Sequence, residues 1–246
     1  MDCLLLDLGN SRMKSALLGP KGPVDVQAHA YPRAEDRVQA VAAHVRARAP
    51  RRVVVCSVLG SEMDGALAAA LEVPVRLVHS GEAEAFGVRL AYPDPDTLGT
   101  DRAVALVAAR ARVGGPCIVV DCGTAVTVDA LDAGGRHLGG VILPGVHAMA
   151  AGLRCATRGV RAPTDLPVQA PPVFARGTAA AVRAGLHRAL VAGIEAVVAD
   201  MAASMDGPVR VIASGGDAAW LARASRLSMD VVAALTLEGL AIMERA

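Results

Sequence analysis

Two passages of this 246-residue chain repeat one arrangement, an apolar run that ends in Asp-x-Gly and a small polar residue. The first is Leu4-Leu5-Leu6-Asp7-Leu8-Gly9-Asn10-Ser11 and the second is Ile118-Val119-Val120-Asp121-Cys122-Gly123-Thr124, which puts the two aspartates 114 positions apart. A short apolar run closed by a glycine turn reads as a strand buried on both faces, and the residues beyond each turn read as a return strand. Two such hairpins nearly half a chain apart imply two structurally duplicated α/β halves, residues 1–114 and 115–246.

The stretches between the hairpins alternate between helix and strand periods. Residues 35–49 set Val38, Val41, Ala42, Val45 and Ala49 on one helical face and stop at Pro50, and residues 51–59 hold a Val53-Val54-Val55 strand core. Residues 101–113 form a second helical pattern, with Val104, Val107, Ala108 and Ala111 on one face and Gly114-Gly115 closing it. Residues 139–145 read as a turn, a short strand and another turn, and residues 163–172 as a proline-rich loop. Residues 178–204 form a long amphipathic pattern through Val182, Leu186, Leu190, Ile194, Val197, Val198 and Met201. A strand at 209–213, a Ser214-Gly215-Gly216 turn, a helix capped by Asp217 and a terminal helix at 235–245 complete the reading. Strands interleaved with helices make the fold class α/β.

Composition removes several functions. A net charge of +1 gives no electrostatic footprint for a phosphate backbone or an anionic membrane, and five aromatic residues are too few for a base-stacking platform. No nucleic-acid or membrane partner is expected. The longest stretch free of Asp, Glu, Lys and Arg, residues 137–153, contains two histidines and Pro144 and is no transmembrane helix. The opening Met1-Asp2-Cys3 lacks the positive charge of a secretory signal. Five cysteines, odd in number and without C-x-x-C spacing, read as reduced core thiols, which suits a cytoplasmic protein. No histidine pairs with another at metal-ligand spacing, so all six read as core or surface residues. The chain also lacks G-x-x-x-x-G-K-[ST], G-x-G-x-x-G and G-x-S-x-G.

Several segments have both a structural and a chemical reading. The span from Asp7 to Lys14 (Asp7, Leu8, Gly9, Asn10, Ser11, Arg12, Met13, Lys14) is either a plain hairpin or a phosphate cradle. In the cradle, glycine admits a ligand to the backbone, amides and hydroxyls hold phosphate oxygens, Asp7 engages a metal-bound water and Lys14 adds charge. Asp121 to Thr127 repeats it with hydroxyls in place of the lysine. Gly99-Thr100-Asp101-Arg102 is either an ordinary helix start or an acid and a base poised to receive a hydroxyl proton and fork onto a carboxylate. Ser214-Gly215-Gly216 is a strand-to-helix turn or a flat seat for a base or ribose.

In order, these segments resemble the type III pantothenate kinases, members of the actin-like superfamily of acetate and sugar kinases. The resemblance runs through D-x-G-N-S-x-x-K at Asp7, Tyr92 with G-x-D-R at Gly99, D-x-G-T-A-x-T at Asp121, G-G-x-I-x-P-G at Gly139, Gly177-Thr178-Ala179 and Ser214-Gly215-Gly216. It implies two duplicated actin-like, ribonuclease H-like domains with the nucleotide in the cleft between them. The implied reaction is ATP-dependent phosphorylation of pantothenate to 4'-phosphopantothenate, the first step toward coenzyme A. On this resemblance Asp101 would be the catalytic base. Gly99, Thr100, Arg102, Tyr92 and Thr178 would surround pantothenate, while Asp7 to Lys14, Thr124, Gly215 and Gly216 would hold ATP with Mg2+. Asp121 would hold a monovalent cation, K+ or NH4+, and the protein would be a homodimer with its substrate pocket near the subunit contact. Ser11 and Ser214 stand where the family often has threonine, and Gly177 where it often has asparagine. The alternatives are a kinase for another small hydroxyl or carboxyl acceptor, and a catalytically silent regulatory protein that keeps the nucleotide fold.

Overall fold

In the computed structural model, which describes residues 2–33 and 35–245, the chain divides into two compact units. The outermost positions of the two expected halves, residues 1 and 246, lie outside the described residues. The first unit comprises Met1–Gly114 together with Gly135–His137 and Ala234–Ala246, and the second Gly115–Gly134 with Leu138–Ala233.

The first unit contains β1 (Cys3–Leu8), β2 (Arg12–Gly19), β3 (Gly22–Ala30), α1 (Arg37–Arg48), β4 (Arg52–Ser57), α2 (Ser61–Ala70), β5 (Val75–Leu77) and α3 (Thr100–Val113). Its sheet runs β3-β2-β1-β4-β5, with β1 antiparallel to β2 and parallel to β4. All six residues of β1 are buried, as an uninterrupted apolar run at the centre of a covered sheet must be. Leu4, Leu6, Val53 and Val55 face Val41, Ala42 and Val45 of α1 and Leu67 of α2 in one cluster. Strand alternation turns Leu5 and Val54 to the other face, where α3 and the last helix, α7 (Leu235–Arg245), pack against β4.

The second unit contains β6 (Cys117–Cys122), β7 (Ala125–Leu131), β8 (His137–Pro144, of which Leu138 onward lies in this unit), α4 (Val146–Ala156), α5 (Thr178–Ala203), β9 (Arg210–Ser214), α6 (Ala218–Ala224) and β10 (Asp230–Val231). Its order, β8-β7-β6-β9-β10, repeats that of the first sheet strand for strand, again with an antiparallel hairpin partner and a parallel neighbour for the central strand. The duplicated α/β architecture expected from the two Asp-x-Gly passages is therefore present. Ile118, Val120, Val128 and Ala213 form one core with Leu186, Leu190, Ile194 and Val198 of α5.

Details differ from the sequence reading. Ala49 is not on the buried face of α1 but exposed beyond its end, in the left-handed conformation that closes the helix (φ 44°). Ala111 is also exposed, because α3 is buried only from Arg102 to Ala109. Of the turn–strand–turn expected at 139–145, residues 139–144 are part of one continuous strand, β8, since pairing beside β7 outweighs the weak strand preference of two glycines, and only Gly145 turns, ahead of α4. Asp217 stands at the N-cap of α6 without a side-chain cap bond, and its backbone N–H donates to the Cys122 carbonyl at 3.2 Å instead. Cys155 is exposed, whereas the other four cysteines are buried and all five are free.

Helices α3 and α7 approach at Gly239, where a Cβ would meet the Val104 carbonyl oxygen and stand 2.7 Å from Val104 Cγ1. Gly239→Ala gains about 1 kcal/mol of helix propensity but overpacks this contact at a cost of about 1–3 kcal/mol. A net fall of several degrees in Tm is expected by calorimetry, and a Tm at or above wild type would show that the helices separate freely.

His44 of α1 sits with Nε2 2.9 Å from Ser15 Oγ and its ring 4.9 Å from that of His29. Burial holds its pKa below the ordinary histidine value, helped by the charges of His29 and Arg48. The unfolded chain then binds the proton more readily. Stability from this group is full above about pH 6.5 and is lost as pH falls from there through the lowered folded value. Thermal melts across this range are expected to show that slope, and His44→Gln to flatten it.

Candidate active site

Parallel pairing sets Asp7 of β1 beside Cys56 of β4, and the β1–β2 hairpin sets it opposite Lys14. Lys14 Nζ lies 3.8 Å from Asp7 Oδ2, with both side chains largely buried. The turn between them closes through the Gly9 N–H, which donates to the Arg12 carbonyl at 3.1 Å and leaves Asn10 and Ser11 exposed at the tip. Leu8 and Met13 are core residues, so within this segment they offer a ligand only backbone groups, while Arg12 is exposed.

The tip is braced by residues distant in sequence. Arg37 Nη2 donates to the Asn10 carbonyl at 2.6 Å, and its guanidinium lies 5.7 Å from the centroid of the Tyr31 ring. The Tyr31 N–H donates to the Ser11 carbonyl at 3.4 Å. Burial pushes the Tyr31 phenol up to about 12, with Arg37 opposing the rise and Asp7 adding to it.

A second carboxylate joins Asp7. The Cys56 thiol is pushed well above its ordinary value, first by complete burial and then by the negative charges of Asp7, Asp101 and Asp64. Asp101 therefore lies within electrostatic reach of the same buried thiol as the hairpin aspartate. It stands in the first turn of α3, where a helix N-terminus favours negative charge, and its Oδ1 accepts from the Arg102 N–H at 2.8 Å. A Cβ on Gly99 would stand 2.7 Å from that oxygen, so a glycine at this position leaves room for the carboxylate.

Beside Asp101, Arg102 is buried, with its guanidinium 5.8 Å from the Tyr92 ring centroid and Nη1 donating to the Tyr92 hydroxyl at 3.3 Å. Tyr92 also stacks on His137, with centroids 6.0 Å apart and planes 5° from parallel. The Ser80 hydroxyl donates to the Leu98 carbonyl at 2.7 Å and lies 3.3 Å from Thr100 Oγ1. Gly99, Thr100, Asp101, Arg102 and Tyr92 thus form one group in the first unit.

The second unit repeats the hairpin chemistry. Asp121 pairs across from Thr127 and Ser214, the positions held by Lys14 and Cys56 around Asp7. The Gly123 N–H donates to the Ala125 carbonyl at 3.0 Å, and Thr124 is exposed at the tip. Gly215 adopts φ 95°, and a Cβ there would meet the Cys122 carbonyl oxygen and stand 2.5 Å from Asp121 Oδ1, so glycine is required on both counts. Burial pushes the Cys122 thiol up to about 12, with further contributions from Asp121 and Asp217. Gly216 is exposed next in the turn, and Thr178 is exposed at the first residue of α5. Thr178 belongs to the second unit.

Among the described residues, no group of three or more His, Cys, Asp or Glu side chains is placed to hold a metal ion. The single carboxylate at Asp7 would suit Mg2+ held through the ion's own waters. No helix among the described residues is long and apolar enough to cross a membrane.

The sequence profile of the family described as type III pantothenate kinase matches residues 3–200. The chain belongs to that family. It is 38% identical over 242 residues to the type III pantothenate kinase of Laribacter hongkongensis, covering 98% of each chain. It is 35% identical over 246 residues to that of Nitrosococcus oceani, covering 97% of this chain and 92% of the relative. In fold it is similar to the crystal structure of an inorganic polyphosphate/ATP-glucomannokinase from Arthrobacter, with a TM-score of 0.53, 17% identity and coverage of 98% and 96%. That likeness is one of fold alone, and the family membership shows a kinase that transfers phosphate to an alcohol group.

Motif reading did not reach Tyr31, Arg37, Ser80 or His137. None belongs to one of the motifs, and only the fold brings them beside the motif residues. Arg37→Ala removes a charged donor to a backbone carbonyl, a bond worth about 1.5–3 kcal/mol. Amide exchange at Gly9 to Arg12 is expected to speed up by roughly tenfold or more with little change in global Tm, measured by hydrogen–deuterium exchange. Unchanged protection there would show that the hairpin turn holds itself.

Proposed function

We propose that this chain transfers the γ-phosphoryl group of ATP to the primary hydroxyl of pantothenate, giving 4'-phosphopantothenate and ADP. The observation that carries the reading is the group at the start of α3, where Asp101 accepts from the Arg102 N–H and Arg102 donates to Tyr92, in the same unit as the Asp7–Lys14 hairpin. On this reading the phosphate loop and the hydroxyl-activating carboxylate belong to one unit.

In this reading Asp7 to Lys14 hold the phosphates through hairpin amides and the Lys14 ammonium, which the nearby Asp7 carboxylate orients. Thr124 adds a hydroxyl from the second hairpin, and Gly215-Gly216 lie along the adenosine. Arg102 forks onto the pantothenate carboxylate, with Tyr92, Gly99, Thr100 and Thr178 lining the remainder. Asp101 accepts the hydroxyl proton as the oxygen–phosphorus bond forms and the bond to the ADP oxygen breaks. Such a transfer has a loose transition state, so positioning and charge neutralisation dominate. Bound Mg2+ supplies part of that neutralisation at the phosphates. Asp121 is the candidate holder of a monovalent cation.

The halves 1–114 and 115–246 are taken as the duplicated domains. A homodimer is supported by an apolar groove of about 680 Å3 along α4 and α5, lined by Met149, Leu153, Val182 and Leu186, and by Phe174, which is 91% exposed. Charge balance and free thiols suit the cytoplasm.

ADP release from Mg-ATP is expected to depend on pantothenate and on K+ or NH4+. Asp101→Asn is expected to lower kcat by about 10²–10⁴-fold while ATP binding stays near wild type. Pantothenate-independent ADP release, or an undiminished kcat in the variant, would refute the assignment.

A further inference from the structure

We infer that His137 is a positioning residue for substrate recognition, acting through the ring of Tyr92. The inference rests on the pantothenate reading of the Tyr92–Arg102 group. Its basis is the placement of His137, which is fully buried although histidine usually keeps one edge in solvent. Residues 135–137 belong to the first unit and are fixed there by backbone pairing. The Arg89 N–H donates to the Gly135 carbonyl at 2.9 Å, and the His137 N–H donates to the Arg89 carbonyl at 2.8 Å. Gly135 adopts φ 80° with the Gly87 carbonyl oxygen where a Cβ would be, so no other residue fits this path.

This backbone brings the imidazole parallel to Tyr92, 5° between planes, three residues beyond the strand bridge that joins Arg89 to Arg136. Tyr92 itself is partly exposed and follows a bend, so its own backbone restrains it weakly. Two groups hold its ring: the Arg102 guanidinium, which also donates to its hydroxyl, and the His137 face. If Arg102 turns toward a substrate carboxylate, its hold on Tyr92 loosens and His137 remains. The imidazole then keeps the phenol in place, and a π face is needed for that, where apolar volume alone would serve a purely structural role.

The test compares His137→Phe with His137→Leu. Both variants lose the imidazole nitrogens and keep an apolar side chain in the buried site, and only Phe keeps a flat ring against Tyr92. An aromatic pair is worth about 0.5–1.5 kcal/mol, which corresponds to roughly two- to tenfold. His137→Leu is expected to raise the KM for pantothenate by about that factor above His137→Phe, with the KM for ATP alike in both. Equal pantothenate KM values in the two variants would overturn the inference. Tyr92→Leu serves as the control: a pantothenate KM unmoved by it would overturn the pocket reading and this inference with it. A raised KM in Tyr92→Leu beside equal values for the two His137 variants would overturn this inference alone. Should His137→Leu not fold, the wild-type chain decides, because it has only two tyrosines to resolve by NMR. Pantothenate titration is expected to shift the Tyr92 ring resonances together with those of His137, and a Tyr92 shift with His137 stationary would overturn the inference.

Discussion

Strand β1 is buried on both faces and hydrogen-bonded on both edges, and this fixes where chemistry can occur in the first unit. No charged group can be accommodated along such a strand without a partner, so a carboxylate is tolerated only near its carboxyl end, where the hairpin turn opens to solvent. Asp7 occupies that end with Lys14 across the hairpin. Ligands of α/β sheets gather at the carboxyl ends of strands for the same reason. Strand β4 runs parallel to β1, so its end is at the same edge of the sheet, and α3 brings Asp101 toward Cys56 there.

Duplication supplied this arrangement twice, and the two copies then diverged in the residues that matter chemically. The register places Lys14 and Thr127 at equivalent positions, and likewise Cys56 and Ser214. One hairpin therefore presents an ammonium and the other hydroxyls. The first copy ends its parallel strand in Ser57, whose hydroxyl donates to Asp64 at 2.5 Å, whereas the second has the tight Gly215-Gly216 turn. A single architecture can thus present a charged loop in one unit and a flat backbone seat in the other.

The features legible in the sequence were those encoded within a few residues. The Asp-x-Gly hairpins, the long α5 pattern and the Gly99 to Arg102 helix start each combine periodicity with a turn residue. Strand β3, with exposed Val24 and Val26 at the edge of its sheet, has no alternation strong enough to announce it. Helix α4 begins after Gly145 with no side-chain cap, and its glycine and small residues gave no stop signal. His137 carried no signal at all, since its partner Tyr92 is distant in sequence and the contact depends on the return of residues 135–137 to the first unit. Arg37 was invisible for the same reason. Local rules predict elements, while site residues recruited by tertiary return require the fold itself.

Glycines at the site separate what packing dictates from what it leaves open. At Gly99 the Asp101 carboxylate itself takes the space a side chain would need, and at Gly215 the Asp121 carboxylate and the Cys122 carbonyl do so. Each of these glycines is therefore tied to a carboxylate, and replacing either would displace that oxygen. Gly177, which stands where the family often has asparagine, has nothing within 4 Å of the position its Cβ would take. Packing did not impose glycine there. The missing amide next to Thr178 is consequently a difference in side-chain chemistry alone, and the Asp7–Lys14 ion pair of the first unit does not involve it.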